Sequence, residues 1–242
     1  MKPPPEPAAF DHVAADYEAA LGRGLQLAGE TREFFARGRV AWLARCLPQP
    51  APAISKVLDF GCGDGAATPL LRRLEADATI IGVDTSTASL ELAQRNHATD
   101  RIRFLPVAAL KPDASFDLVF SNGVFHHVPS ADCPATLALI HSALRPGGLF
   151  ALWENNPWNP GTRLIMRRVP FDHDAVLLWP AVARRLLRVA GFDVLRTDFR
   201  FVFPRWLRWF RPLEPALSRL PLGGQYQVLA QKPPSPTPPD GR

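Results

Sequence analysis

From residue 56 onward, short apolar segments typical of buried strands alternate with segments of helical character. Strands are predicted at 56–60, 79–84, 101–105, 116–121 and 149–154, with helices between them at 66–74, 86–95 and 135–144. Repeated strand–helix–strand units predict a doubly wound, mostly parallel α/β sheet with helices on both faces. In such sheets ligands bind beyond the carboxyl ends of the strands, so functional residues are expected just after each strand.

Further elements precede and follow this repeat. They are helices predicted at 11–21, 31–47 and 180–190 and strands predicted at 192–203 and 225–231. We expect one domain over 10–231, in which 10–50 form a helical cap and 160–220 form an Arg-rich substrate side. The segments 1–9 and 232–242 are rich in proline, and we expect them to be disordered tails.

The composition is that of an ordinary globular protein. Of the 242 residues, 47% are hydrophobic and 21% are charged, which excludes a wholly disordered chain. No run of apolar residues is long enough for a membrane-spanning helix. The cysteines, Cys46, Cys62 and Cys133, are odd in number and lack metal-ligand spacing, so neither a disulfide framework nor a metal site is expected. With no apolar signal segment at the start, a cytoplasmic location is expected.

The formal net charge of +5 is concentrated in one part of the chain. Residues 160–220 contain 12 Arg against 5 acidic residues, whereas residues 1–159 are slightly acidic. Within 203–212, arginines alternate with aromatic residues at helical spacing. Three interpretations stay open, in order of preference: packing on the domain with solvated arginines, peripheral contact with the inner face of a membrane, and contact with nucleic acid. No RNA-binding module is visible, so no nucleic-acid partner is expected.

A glycine-rich loop, residues 61–65 (GCGDG), follows the first predicted strand. Glycines permit a tight turn and allow a ligand to approach the backbone closely. Asp59 precedes this loop, and Asp84 ends the second predicted strand at a position where a carboxylate can accept both hydroxyls of a ribose. The pattern favours a nucleoside-containing ligand over an empty tight turn.

Four segments together resemble the successive motifs of class I S-adenosylmethionine-dependent methyltransferases: VLDFGCGDG, GVDTS, FDLVFSNGVFHHV and LRPGGLF. They have the order and spacing of that family and cover residues 56–150. The resemblance implies a Rossmann-like, seven-stranded sheet with an antiparallel last strand, and S-adenosylmethionine as the cofactor. The residues it implies for cofactor binding are Asp59, Gly61, Cys62, Gly63, Asp84, Thr85, Val107, Ala108, Asn122 and Tyr17.

The resemblance also implies which part of the cofactor each of these residues contacts. Gly61 and Gly63 would line its methionine end, where Asp59 would organise the amino group. Asp84 would bind the ribose hydroxyls, and Thr85 would border the adenine. Many family members hold the adenine amino group with an acid after the third strand, but the stretch FLPVAAL has none here. The resemblance therefore leaves adenine recognition to backbone groups and apolar contacts around Val107 and Ala108.

Two further cofactor contacts come from outside the glycine loop. The resemblance implies that Asn122 contacts the cofactor from the end of the fourth strand. Tyr17 resembles the tyrosine of an N-terminal helix that caps the cofactor in related enzymes. The alternative for Tyr17 is a half-buried residue that packs this helix onto the domain.

Candidate catalytic residues follow the fourth and fifth predicted strands. A sulfonium is an activated methyl donor, so the protein must align the acceptor, and an oxygen acceptor needs a proton removed. Histidine titrates near neutrality, which suits a base. His126 and His127 are adjacent and cannot both point the same way, so at most one is the base; family analogy slightly favours His127. Glu154 could bind an acceptor hydroxyl. The alternative is that both histidines only shape the pocket.

The segment after the fifth predicted strand supplies candidate acceptor-binding residues: Asn155, Asn156 and Arg163. The pattern NNPWNP followed by PFD resembles a subgroup of methyltransferases associated with surface-glycan or glycolipid biosynthesis. We therefore expect methylation, most simply on oxygen, of a small-molecule, sugar or lipid-linked acceptor. The alternative is a structural loop stiffened by proline.

Two other functions compete with methyl transfer. A nicotinamide-dependent oxidoreductase also uses a glycine loop, but its pattern requires a third glycine, and Asp64 stands here where a pyrophosphate would approach. A non-catalytic, membrane-peripheral module that only binds the cofactor is the second alternative.

Overall fold

The computed structural model describes residues 29–50, 52–167 and 177–235. The predictions for Tyr17, the helix at 11–21, the tail 1–9 and the PFD stretch lie outside the described residues, as do residues 236–242. The helices and strands are α1 (Arg32–Cys46), β1 (Lys56–Phe60), β2 (Thr79–Asp84), α2 (Thr87–His97), β3 (Ile102–Pro106), β4 (Phe116–Asn122), α3 (Cys133–Ala143), β5 (Leu144–Asn155), α4 (Pro160–Met166), α5 (Pro180–Val189), β6 (Asp193–Arg200), α6 (Glu214–Leu217) and β7 (Gln225–Gln231).

One seven-stranded sheet has the order β3-β2-β1-β4-β5-β7-β6. The pairs from β3 to β5 are parallel, and β7 runs antiparallel to both of its neighbours. This confirms the predicted fold class, including the antiparallel last strand. The order reverses between β1 and β4, whose carboxyl ends lie side by side with Phe60 paired to Ser121. The fold therefore opens its ligand crevice at the end of β1.

Each face of the sheet is covered by its own apolar cluster. On one face Leu137 and Ile140 of α3 pack with Leu187 of α5. On the other face Val40 and Leu43 of α1 pack over the sheet. The central strands are buried from both sides, which explains why they read as unbroken apolar runs rather than alternating ones.

Two predicted elements differ in the structure. The helix predicted at 66–74 is a shorter 3₁₀ segment, Thr68–Arg73, because tight turns hold its start, where the amide of Thr68 donates to the carbonyl of Gly65. The basic, aromatic stretch forms 3₁₀ turns over Arg205–Leu213 with a kink at Leu207. Pro212 lies inside this segment and cannot donate to an α-helical ladder. In the described ranges, no helix is long and apolar enough to cross a bilayer.

Candidate active site

A cleft of about 1970 Å³ lies at the carboxyl ends of β1, β2, β4 and β5. Small-molecule pockets usually occupy about 300–1,000 Å³, so this cleft has room for a cofactor together with an acceptor. The sequence-predicted residues that line it are Asp59, Gly61, Cys62, Gly63, Asp84, Thr85, Val107, Asn122, His126, His127 and Asn155. The structure thus brings together most of the residues that were predicted from separate motifs.

The glycine loop turns back against β2. The amides of Gly61 and Cys62 both donate to the carbonyl of Val83, at 2.8 and 3.0 Å. Gly61 has φ +74°, and an added Cβ would overlap Val124, so this position admits only glycine without movement. Gly63 also has a positive φ, of +56°, but no atom lies within 4 Å of the position of an added Cβ. The loop is therefore packed on one side and open toward the cleft on the other.

Asp84 fixes this loop to the end of β2. One carboxylate oxygen accepts from the amide of Gly63 at 2.8 Å, and the other accepts from the amide of Ser86 at 2.9 Å. The hydroxyl oxygen of Ser86 in turn accepts from the amide of Ser89, which caps helix α2. A carboxylate has about four acceptor sites, so Asp84 keeps the capacity to accept from ligand hydroxyls.

Asp59 lies buried under the loop. Its Oδ2 accepts from the hydroxyl of Thr68 at 2.6 Å. Burial raises the pKa of Asp59 from 3.8 to about 6, against the opposing effect of the Thr68 hydrogen bond. The nearby charge of Asp84 adds to the rise, and the nearby charge of Arg39 opposes it. Asp59 is thus an acid whose ionisation falls close to neutral pH.

Asp64 forms a bidentate ion pair with Arg32 at the start of α1. The two guanidinium–carboxylate distances are 3.0 and 3.2 Å. The amide of Ala66 also donates to the Asp64 carboxylate at 3.2 Å. The pairing neutralises this acid, so its repulsion of a pyrophosphate is weaker than the sequence alone suggests.

Behind the cleft, His126 is held by Glu154. The Nδ1 of His126 lies 2.6 Å from Oε2 of Glu154, and the amide of Phe125 donates to Oε1 at 2.8 Å. Both side chains are buried, with Glu154 entirely enclosed. His127 is half-buried, and its ring centroid lies 4.1 Å from that of His126. Glu154 is therefore placed to orient His126 rather than to touch a ligand.

Comparison with known proteins agrees with this architecture. Residues 57–148 match the family model of a methyltransferase domain. Trans-aconitate 2-methyltransferase of Methylobacterium nodulans is 35% identical over 180 residues, which are 74% of this chain and 65% of that protein. A solved S-adenosylmethionine-dependent methyltransferase from Archaeoglobus fulgidus shares 18% identity at a TM-score of 0.61, with 86% of this chain and 97% of that chain covered. These findings confirm the resemblance to the class I S-adenosylmethionine-dependent methyltransferases.

The comparisons also show what the fold leaves open. The 4+2 cyclase SpnF has the same fold at a TM-score of 0.64 and 16% identity, with 95% of this chain and 98% of that chain covered. The fold alone therefore does not fix the reaction. The chain spans less than two thirds of the length of the first curated relatives it matches. The recognition of the methyltransferase family is confirmed, and with it S-adenosylmethionine as the family's cofactor.

The cleft also contains Arg39, a buried charged residue that the sequence analysis does not single out. Arg39 of α1 is buried and lines the cleft, where its Nη1 donates to Oε1 of Gln225 at 3.0 Å. The Gln225 amide lies 3.4 Å from Oδ1 of Asn155. A signal was present in the sequence, since Arg39 falls at helical spacing among Ala36, Val40 and Leu43 on the apolar stripe of its helix.

Besides Glu154, three predicted site residues lie outside the cleft. Asn156 is fully buried, and its amide donates to the carbonyls of Pro221 and Gly223 at 3.1 and 2.7 Å, so it ties the start of β7 to the end of β5. The side chain of Arg163 on α4 is exposed, and Ala108 is exposed after β3. None of the three is among the described residues that line the cleft.

Proposed function

We propose that this chain is an enzyme that binds S-adenosylmethionine in the cleft and transfers its methyl group to a small anionic acceptor. The observation that carries the proposal is the juxtaposition of a buried acid, an open glycine and a second acid: Asp59, Gly63 and Asp84 line one cleft. The open space beside Gly63 is a cradle that a Cβ would fill. This arrangement fits a ligand that carries both an amino-acid end and a ribose.

Different residues of the cleft would contact different parts of the cofactor. The carboxylate of Asp59 would hold the ammonium group, and the nearby guanidinium of Arg39 would face the carboxylate of the same amino-acid end. Asp84 would accept from the ribose hydroxyls. Thr85 and Val107 line the cleft near the ends of β2 and β3, where they would border the adenine.

The bound cofactor supplies an activated methyl group on a sulfonium. The chain's own residues then need to align the acceptor oxygen and exclude water. The cleft is walled by α1 on one side and α4 on the other, through Phe35 and Ile165. These apolar walls would desolvate the acceptor around its reacting oxygen.

We favour a carboxylic acid as the acceptor. The curated relative named above and a second one, from Methylobacterium radiotolerans, are trans-aconitate 2-methyltransferases. Besides Arg39, which would face the cofactor, Arg211 lines the cleft, so a second cationic side chain is present there. A carboxylate is already ionised at neutral pH, so its methylation requires positioning and no base. His126 would then bind the acceptor only as an imidazolium, in which Nε2 carries a proton and donates to the carboxylate.

A hydroxyl acceptor, on a sugar or a lipid-linked molecule, is the second candidate. The buried His126–Glu154 pair favours it, because Glu154 fixes Nδ1 as the donor and so makes Nε2 the nitrogen that can accept a proton. The hydroxyl would lose its proton to Nε2 while its oxygen takes the methyl group, whose bond to the sulfonium sulfur would break to leave S-adenosylhomocysteine.

Calorimetry and a turnover screen test the proposal. S-adenosylmethionine is expected to bind, and NAD is not. Formation of S-adenosylhomocysteine is then measured with trans-aconitate and other polycarboxylic acids, with nucleotide sugars and with lipid-linked glycans. Turnover confined to the polycarboxylic acids supports the leading proposal, whereas binding of NAD alone would overturn both candidates.

Glu154→Gln distinguishes the two acceptor classes. The amide keeps an oxygen for the Phe125 amide but replaces the acceptor that fixes the His126 ring. For a hydroxyl acceptor kcat should fall by about 10²–10⁴, because general-base catalysis contributes about that much. For a carboxylate acceptor kcat should fall less than tenfold, with the main effect on KM. Glu75→Gln makes the same chemical change at an exposed position and serves as the control.

A further inference from the structure

The segment Arg205–Leu213, here called the aromatic segment, presents large apolar side chains to solvent. Trp206 is 74% exposed, Trp209 78%, Phe210 49% and Leu213 54%. Single exposed apolar residues are common on proteins, but several on one short segment mark an interaction surface. The sequence favoured an interpretation in which this segment packs on the domain, but these four side chains face solvent.

The charge of the aromatic segment has one sign. No acidic residue occurs between Asp198 and Glu214. Arg205 and Arg208 are exposed, and the Arg208 guanidinium lies 5.0 Å from the ring centroid of Trp209. The exposed part of the segment is therefore both aromatic and cationic.

Arg211 takes a different place. Its guanidinium donates to Glu30 at 2.7 Å and to the carbonyl of Phe203 at 3.2 Å, and it stacks 4.4 Å from the ring centroid of Phe34. Arg211 thus anchors the segment to the region before and within α1. The other two arginines are left on the outward side.

The base of the aromatic segment is held by a buried acid. Glu214 accepts from the amides of Val202 and Phe203 at 3.0 and 3.1 Å. It also lies 3.4 Å from the guanidinium of Arg200. Because the ends are fixed by buried polar contacts, the exposure of the aromatic rings is a feature of the fold.

The aromatic segment also borders the entrance of the cleft. Phe203, Pro204 and Trp206 line the cleft from this side. Leu164 of α4 lines it as well and is 45% exposed. An apolar rim therefore continues from the aromatic segment onto α4.

We propose that the aromatic segment docks this chain on an anionic membrane surface, with the mouth of the cleft close to the lipid. Tryptophan rings favour the interfacial region of a bilayer, where the side chains of arginine can reach anionic headgroups. A symmetric contact with a second copy would bring Arg205 and Arg208 of both chains together, which disfavours that occupant. The docking would operate independently of methyl transfer.

Vesicle flotation tests the docking without cofactor or acceptor present. The full chain is mixed with vesicles of phosphatidylcholine alone or of phosphatidylcholine with phosphatidylglycerol. We expect flotation with the anionic vesicles and a loss of binding at high salt. Trp209→Ser with Phe210→Ser should lower the bound fraction by about tenfold, as should Arg205→Glu with Arg208→Glu.

Matched variants control for general effects of charge and apolarity. Arg103→Glu with Lys111→Glu makes the same charge change at exposed positions away from the aromatic segment. Val189→Ser with Leu195→Ser removes exposed apolar side chains near α5 and β6. Both control variants should float as the wild type does, and thermal unfolding by circular dichroism should show that every variant is folded.

Several outcomes would overturn the docking proposal. One is an absence of flotation of the wild type with either vesicle. Another is flotation that all four variants retain equally. Concentration-dependent dimers abolished by Trp209→Ser with Phe210→Ser, without flotation, would assign the surface to a second copy. Retardation by single-stranded RNA without flotation would assign it to nucleic acid. Because cofactor binding is measured separately, either result leaves the proposed function to its own test.

Discussion

Asp59 is the residue whose chemistry depends most directly on burial. In water an aspartate is ionised well below neutral pH, but enclosure under the glycine loop brings its pKa to about 6. The Thr68 hydroxyl donates to it, which favours the ionised form, so the acid is both buried and prepared to carry charge. Such a residue makes ligand binding sensitive to pH in a range where free aspartate does not titrate.

Lowering the pH should therefore weaken S-adenosylmethionine binding. Below about 6 the carboxyl of Asp59 takes up a proton and loses its attraction for the ligand ammonium, so the Kd should rise by up to about tenfold per pH unit. Titration calorimetry from acidic to neutral pH measures this. Asp59→Asn should bind more weakly at neutral pH and show little dependence across the same range. An equal pH dependence in that variant would assign the titration to another group.

His126 illustrates a contact that sequence spacing cannot supply. Its partner Glu154 is 28 positions away along the chain and arrives from the neighbouring strand β5. The sequence marked both residues as candidates and slightly favoured His127 as the base. The pairing with a buried glutamate shifts our preference to His126, because the Glu154 carboxylate holds that imidazole in a defined orientation.

The glycine loop combines left-handed backbone angles with open space that a ligand could occupy. Gly61 and Gly63 both have left-handed backbone angles, so alanine at either position carries a similar backbone strain of about 1–2 kcal/mol. They differ in surroundings, since Gly61 abuts Val124 and Gly63 faces open space. Comparing alanine at the two positions therefore separates the effect of an added Cβ on folding from its effect on ligand binding.

Gly61→Ala should lower the free energy of unfolding further than Gly63→Ala, by about 1–3 kcal/mol, because its Cβ overlaps a packed side chain. Gly63→Ala should reduce the affinity for S-adenosylmethionine more than its modest loss of stability explains. Urea unfolding and calorimetry measure the two effects. Adding Val124→Ala to Gly61→Ala should restore part of the stability; no restoration would mean that strain alone is responsible.

Helix α1 contributes both to the hydrophobic core and to the wall of the cleft. Val40 and Leu43 cover one face of the sheet, while Arg32 and Arg39 from the same helix reach the cleft. An amphipathic pattern predicts the first property, because it reflects only the apolar stripe. The second depends on where the helix lies relative to the glycine loop and to β7, which its own residues do not encode.

At the scale of the whole molecule, acidic and basic residues concentrate in different regions. The acidic residues Asp59, Asp64 and Asp84 line the cleft around the glycine loop, and the arginines concentrate in 160–220. Arg163 on α4 and Arg167 at its C-terminal cap are exposed, and they are next in sequence to Leu164 and Met166, which line the cleft. Their position suits the attraction of an anionic acceptor toward the opening, without direct contact.

The KM for a polycarboxylate should therefore depend on salt. Between low and physiological ionic strength we expect a rise of about threefold to tenfold, because exposed charges are screened beyond about 8–10 Å. Arg163→Glu with Arg167→Glu should raise KM at low salt and flatten the dependence, whereas Arg103→Glu with Lys111→Glu should leave it unchanged. Steady-state kinetics across a salt series provides the measurement. A KM that does not change with salt would show that long-range attraction by these arginines does not contribute to acceptor binding.

The sequence by itself determined the sheet and the edge of the cleft that carries the glycine loop. Alternating apolar strands and helices, a glycine loop after β1 and an acid after β2 are local patterns, so they are legible without coordinates. The extent of the domain over 10–231 and the tails stay predictions. The predicted helix at 66–74 was wrong in type because short turns, rather than helical periodicity, control its start.

Only the tertiary structure decided how the other side of the cleft is built. Arg39 meets Gln225 across 186 positions of sequence, Glu154 turns inward to His126, and Asn156 turns away to the start of β7. Strand β5 ends at Asn155, which lines the cleft, whereas Asn156 lies beyond the strand and donates to the carbonyls of Pro221 and Gly223, so two asparagines that look alike in the sequence have different contacts in the fold. Local patterns fix which segments form, whereas contacts between distant segments fix which side chains meet, and the acceptor side depends on the second.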